Sequence, residues 1–490
     1  MKRIRLRILV LPSLIMIVAT WTLMLFALEV GSITPEVNDV SAAVDTDISV
    51  TFDGAINTSA VTSNTFVIHS LQSGLISGTY TFTNGNATVK LDPVANFFPG
   101  ETIYSSLTTG ITDGSNPIIP RVWQFTTAVS EGEFTIGNVN FGTGTDKTSS
   151  VAWGDYDNDG DLDLAVGNFQ QQNVLFPNNG DGSFGSGVNF GTGSDSTVGV
   201  AWGDFDNDGD LDLAVGNYEA EQNVVYPNNG NGSFGNGVNF GTGNDNTQSI
   251  AWGDFDGDGY LDLATGNLNQ QNVVYLNNGD GGFGGGVSFG TGSDAGFSLA
   301  WGDYDNDGDL DLAVGNYARQ NVVYPNNGDG TFGGGVNFGT GSDSTHFIAW
   351  ADYDNDGDLD LAVGNVTSQS VVYPNNGDGS FGSGVNFGTD NEQTFTLAWG
   401  DYDNDGDLDI AGGNYGQQDF IYPNNGDGSF GSGIRVGNGS DYSYYLASGD
   451  FDNDGDLDLA VAIVDGQNVV KFFNPDEKQY YLPLILNGKS

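Results

Sequence analysis

The stretch GDYDNDGDLDLAVGN, residues 154–168, sets five aspartates within nine residues and runs directly into an apolar strand. Carboxylates at that density repel one another, so something of opposite charge must hold them together. Near-copies begin at Gly203, Gly253, Gly302, Ala351, Gly400 and Gly449, and the first aspartates of successive copies are 49 or 50 residues apart. A repeat of this length decides the architecture, because each period must be one structural unit.

Each period reads as four short strands, typified by VAWGD, LDLAVGN, NVVYPN and GVNFGTG. Four strands per period make one propeller blade, and seven periods predict an all-β fold with a seven-bladed β-propeller over residues 134–474. A β-solenoid, the rival repeat architecture, has much shorter repeats. The seventh copy lacks the usual NNGDGSFGSG turn and fourth strand, whereas a surplus strand, FTIGNVNFGTG, precedes the first copy. Residues 134–142 are therefore expected to supply the outer strand of the last unit, tying the two ends together and removing an exposed edge.

Outward from the repeats, residues 32–127 carry no aspartate motif. They read as short alternating strands (DISVTFDG, NTFVIHS, SGTYTFTNGNATVKL, ETIYSSLTTG, VWQFTT) of the kind that build a β-sandwich. AVSEGE after them reads as a linker. MKRIRLR followed by about 21 apolar residues has the form of an export signal within residues 1–28, and its length also suits a retained membrane anchor. Either way the remainder leaves the cytoplasm, and membrane attachment would come through that segment alone. The C-terminal tail, 475–490, contains YYLPLILNG and has no assigned place.

The motif is D-x-D-x-D-G-x-x-D. Oxygens at positions 1, 3 and 5, a main-chain carbonyl at 7 and a carboxylate closing the shell at 9 are the pattern of a calcium loop. The candidate ligands are Asp155, Asp157, Asp159, Asp161 and Asp163 in the first copy and Asp204, Asp206, Asp208, Asp210 and Asp212 in the second. They are Asp254, Asp256, Asp258, Tyr260 and Asp262 in the third, and Asp303, Asp305, Asp307, Asp309 and Asp311 in the fourth. Asp352, Asp354, Asp356, Asp358 and Asp360 follow in the fifth, Asp401, Asp403, Asp405, Asp407 and Asp409 in the sixth, and Asp450, Asp452, Asp454, Asp456 and Asp458 in the seventh. Tyr260 at position 7 argues that this position offers its carbonyl, which leaves the other aspartates there as spare charge. Position 4 is asparagine in six copies and Gly257 in the third, as suits a non-ligand. An EF-hand is excluded by strands on both flanks and by valine, threonine or glycine where position 12 would need glutamate. About seven calcium ions are expected.

NFGTGSDSTVGVAWGDFDNDGDLDLAVGN followed by NVVYPNNGNGSF resembles FG-GAP/VCBS repeats, also found in the propeller of integrin α-subunits. The resemblance covers about 340 residues and implies calcium in the loop between the first two strands of each blade, with an extracellular recognition role. Integrin-type propellers complete only some loops, whereas all seven are complete here, and nothing matches the rest of an integrin chain. The segment from ITPEVNDV to WQFTT is similar to bacterial Ig-like domains of the SbsA type, which implies a spacer or adhesion module without catalytic residues; deleting residues 32–127 is expected to leave the repeats stable.

Acidic residues outnumber basic ones 64 to 12, giving a net charge of −52, which repels a phosphate backbone and argues against nucleic acid as a partner. There is no cysteine and so no disulfide. The loops opposite the aspartates vary and carry Lys147, Phe297, His346, Tyr442, Tyr444 and Tyr445, a plausible recognition face. One residue in them does not vary: Gln172, Gln222, Gln271, Gln320, Gln369, Gln418 and Gln467. Trp153 and its equivalents before the loops read as packing between units, with Ser448 breaking the series. The expected function is non-catalytic recognition or adhesion, secreted or at a bacterial cell surface, toward a protein or glycan. A lectin with several equivalent pockets and a propeller-based polysaccharide-degrading enzyme are the alternatives.

Overall fold

The strand that follows each aspartate loop is buried at all six positions, as in Asp163–Asn168, Asp212–Asn217, Asp311–Asn316 and Asp360–Asn365. Such a strand must be sandwiched between neighbours on both faces. In the computed structural model, which describes residues 28–129, 136–230 and 232–473, it lies between two antiparallel partners. Asp163 faces Gly154 across the loop and Val166 faces Val151, while on the other side Leu164 faces Phe176. The third strand, Asn173–Phe176, then pairs with the short outer strand Val188–Phe190.

The same four-strand order recurs around the repeats, and the sheets merge where one long strand serves two of them. Phe283–Gly302 is the outer strand of the third repeat and the inner strand of the fourth, and Ile434–Gly449 does the same for the sixth and seventh. Ile136–Gly154 is the decisive case. Its second half is the inner strand of the first repeat, and its first half pairs with the last strand, Asp458–Phe473, with Ile136 opposite Phe473 and Phe141 opposite Asn468. The expected closing strand is thus found over residues 136–141.

Successive repeats are fastened by the tryptophans. Trp202 Nε1 donates to the Ala152 carbonyl of the preceding repeat at 3.1 Å, and Trp252, Trp301, Trp350 and Trp399 repeat the bond. Trp153 of the first repeat donates to Ala447 of the seventh at 3.1 Å. The indole approaches so closely that a Cβ on Gly154 would stand 2.7 Å from Trp202 Cδ1, which explains the glycine there. Where Ser448 replaces tryptophan, its hydroxyl lies 2.5 Å from Tyr402 Oη.

Residues 30–126 form two four-stranded sheets around one core that includes Phe66, Trp123, Phe125, Ile48 and Leu91. This domain is not a detached spacer. Leu71, Phe98 and Val122 of this domain and Val129 just after it each pack into a hydrophobic cluster of the repeats. Among the described residues, no helix is long and apolar enough to cross a membrane. The expected signal or anchor, Leu28 apart, and the tail 475–490 lie outside the described residues.

Candidate metal centres

The loops fold on their own main chain. Asp155 Oδ1 and Oδ2 accept from the Asp159 and Gly160 amides, each at 3.0 Å. Asp163 Oδ2 accepts from the Tyr156 amide at 3.1 Å, and its Oδ1 accepts from Asn178 in the turn between the third and fourth strands at 2.7 Å. Positions 1 and 9 are thereby held facing position 3. In the first four repeats the carboxylates of positions 1, 3 and 9 (Asp155, Asp157 and Asp163 in the first) converge within 4.8 Å, and in the fifth Asp352, Asp354 and Asp356 do. At position 5 the Oδ1 accepts the position-7 amide, as from Asp161 to Asp159 at 3.0 Å, a main-chain bond of the kind positions 1 and 9 also make, and in the fifth repeat it joins the converging cluster.

Burial drives the carboxyls up. Asp155 is pushed to about 6, Asp204, Asp254, Asp303 and Asp450 to about 7, Asp163, Asp212, Asp360 and Asp409 to about 8, and Asp311 to about 9. Oδ1 of Asp303, Asp305, Asp403 and Asp452 is buried without a hydrogen-bond partner. Buried carboxylates with orphaned oxygens call for a hard cation, and an all-oxygen donor set fits calcium.

Position 7 has a role that the sequence alone did not disclose. Asn158 at position 4 donates across the repeat boundary to Asp210 Oδ1 at position 7 of the next loop, at 2.7 Å. Asn306 reaches Asp358 at 2.6 Å, Asn355 reaches Asp407 at 3.0 Å, Asn404 reaches Asp456 at 3.4 Å, and Asn453 returns to Asp161 at 2.6 Å. Position 4 sits in the left-handed region, φ 57–60° for its six asparagines, a conformation asparagine tolerates best among residues with a side chain. Five of the six position-7 aspartates, expected to be spare charge, are acceptors in a loop-to-loop clasp, Asp309 being the exception.

Six overlapping segments, 155–215, 204–265, 256–314, 303–363, 352–412 and 405–461, match the FG-GAP-like repeat family. The chain belongs to that family. Each matched segment reaches from one aspartate loop to the next, so the six together take in all seven FG-GAP-like loops. Residues 26–127 match the bacterial Ig-like domain. Among curated proteins none matches this sequence. The chain is similar to solved structures of BBS1N in complex with ARL6DN, at 10% and 11% identity and TM-score 0.49, covering 71% of this chain and 100% of that one. It is also similar to an Agrocybe aegerita lectin that recognises non-reducing terminal N-acetylglucosamine, at 19% identity and TM-score 0.44, over 84% of this chain and 99% of the lectin. These likenesses do not bear on what the FG-GAP-like repeats here bind.

At the opposite end of the FG-GAP-like repeats, one position recurs at the repeat period at the start of each inner strand: Ser149, Val198, Gln248, Phe297, His346, Phe395 and Tyr444. The last four form an aromatic arc. His346 stacks on Phe395 with centroids 4.0 Å apart, Phe395 stacks on Tyr415 at 4.6 Å, and Tyr444 abuts both His346 and Phe395. Burial holds His346 down to about 4. Beside the arc opens a largely apolar cavity of about 380 Å³, lined by Phe169, Tyr218, Leu268, Phe297 and Tyr444 among others. The invariant glutamines are not free to line it. Gln172 Nε2 donates to the Phe190 carbonyl at 2.5 Å and Gln467 to Phe141 at 2.6 Å, and the other five bond main-chain carbonyls in the same way.

Proposed function

We propose that this chain is a calcium-stabilised, non-catalytic recognition or adhesion protein acting outside the cytoplasm, with its repeats arranged as a seven-bladed β-propeller. The propeller reading is supported by the tryptophan bonds, which link successive repeats from the first to the sixth and join the first to the seventh, while between the sixth and seventh Ser448 meets Tyr402 instead. The observation that carries the metal is the set of buried, unpartnered carboxylate oxygens within the loops. Positions 1, 3, 5 and 9 would hold the ion with the position-7 carbonyl, and the bound charge would cancel the repulsion that destabilises the loops.

The ligand reading rests on the open aromatic mouth. Among its described lining residues there is no carboxylate, and Lys147 is the only one carrying a full charge, so the site suits binding better than hydrolysis. For the alternative of a lectin with several equivalent pockets, the invariant glutamines would not supply free amide donors, because each bonds the main chain. Calcium should be counted after stripping and refilling the protein, by equilibrium dialysis with elemental analysis. About seven ions per chain are expected, and two or fewer at saturation would sink the assignment. An array of glycans and extracellular proteins, probed with wild type and Tyr444→Ala, would then locate the ligand. Equal signals from both proteins would move it away from the mouth.

A further inference from the structure

The third loop departs from the other six at two positions, and the first of them, Gly257, falls under the Ig-like domain. Gly257 at position 4 has no side chain to donate, so Asp309 of the next loop lacks the asparagine its equivalents have. Tyr260 at position 7 removes an acceptor, and Asn207 turns instead to the Gly259 carbonyl at 2.9 Å. A Cβ on Gly257 would come within 3.2 Å of Pro120 Cβ, and one on Gly259 within 2.9 Å of Val67 Cγ2, both in the Ig-like domain. Arg121 crosses above Gly308, where a Cβ would stand 2.9 Å from Arg121 Cγ.

The same main-chain atom is gripped in three consecutive loops. The carbonyl of the position-6 glycine accepts from the Val122 amide at Gly308 (2.6 Å) and from Asn38 Nδ2 at Gly357 (3.1 Å), and at Gly259 it faces His69 Nε2 at 3.4 Å. Each of these glycines donates its own amide to the first aspartate of its loop: Gly259 to Asp254, Gly308 to Asp303 and Gly357 to Asp352, at 3.1, 3.0 and 2.9 Å. One glycine peptide therefore separates a candidate metal ligand from the docked domain.

We propose that the third loop is the docking seat of the Ig-like domain and that the domain stays clasped only while loops 3 to 5 hold metal. The last part rests on the calcium reading given above. Without the ion, the carboxylates of each loop repel, the loop opens, and the row of glycine carbonyls loses its alignment. With it, the row is a rigid template matched to three separate strands and turns of the Ig-like domain.

The chain has no cysteine, so two introduced thiols are the only labelling sites. Spin labels at Ser115→Cys and Asp378→Cys, both at exposed positions, report the distance between the two domains in the full chain. A single narrow distribution is expected with calcium and a broad one after chelation. Gly257→Asn should broaden it even with calcium, because the new side chain meets Pro120. That variant keeps its fold, since asparagine occupies the same left-handed position in the other six loops. Asn158→Gly, which opens the clasp between loops 1 and 2, should leave the distribution narrow. A narrow distribution in Gly257→Asn would overturn the seat. A narrow distribution after verified loss of calcium would overturn the metal dependence. A chain that takes up no calcium at all would remove the metal reading, and the Gly257→Asn arm would still decide the seat.

Discussion

Asn453 Nδ2 donates to Asp161 Oδ1 at 2.6 Å across 292 residues of sequence, joining the last aspartate loop to the first. The bond has the same partners and geometry as those between adjacent loops, so the repeats meet end to end on this face as they do through Trp153 and Ala447. Asp161→Asn should therefore weaken a clasp and leave the loop's own calcium in place. The bond is largely exposed, and its loss should cost about 1 kcal/mol or less. Asp157→Asn, which removes a member of the converging triad, should remove that loop's ion. Calorimetric titration of the two variants checks this, and equal losses of calcium would show that position 7 binds through its side chain.

The stability of the metal-free protein should fall as pH rises. Asp163, Asp212, Asp360 and Asp409 have folded-state values raised by burial to about 8, far above the unfolded value. Between about 4 and about 8 the folded chain thus holds protons that the unfolded chain has released, and each step up in pH favours unfolding. Calcium competes for the same oxygens and needs them ionised. Melting temperatures in chelator should decline across this window, and the increment produced by calcium should grow. A metal-free protein that became more stable toward pH 8 would contradict the buried-carboxylate account. Monovalent salt should restore only part of the loss, because it screens without coordinating.

Much of this was legible in the sequence. The period located all seven loops, and the strand count placed the closing strand, because both are properties of a single repeat or of its absence at one end. What stayed hidden was the meaning of Gly257 and Tyr260. Within one loop they look like tolerated changes at positions 4 and 7. For Gly257 the reason lies in Pro120, more than a hundred residues away, in a segment with no motif to announce the contact, and nothing in the structure explains Tyr260. The clasp was missed for a related reason. Asn158 and Asp210 are partners only once two repeats stand side by side, and the repeat period keeps both residues constant without saying that they meet.

Removing the Ig-like domain should destabilise the repeats. Leu71, Phe98 and Val122 pack among repeat residues at three separate places, and their withdrawal exposes apolar surface on the repeats. A chain beginning at Glu131 should melt at a lower temperature than the chain retaining residues 28–130, in calcium. Identical melting of the repeat region in both would show these contacts to be energetically neutral.

The closing strand offers the sharpest test of how the repeats are held together. Residues 136–141 pair with Asp458–Phe473 along the whole length of its second half, and Phe141 is buried in a cluster with Trp153, Leu164 and Val470. A chain beginning at Asp146 leaves that edge with unpaired amides and carbonyls and opens the cluster to water. Burying a phenylalanine side chain is worth about 1.5–3 kcal/mol, and the lost strand adds main-chain bonds to that. An unpaired edge is also a template for another copy of the chain. Compared with a chain beginning at Glu131, which likewise lacks the Ig-like domain, the shorter one should aggregate or melt well below it. Light scattering and calorimetry measure the two effects separately. Equal melting without association would mean that the seventh repeat is stable with three strands, and that the ends are held by Trp153–Ala447 and Asn453–Asp161 alone.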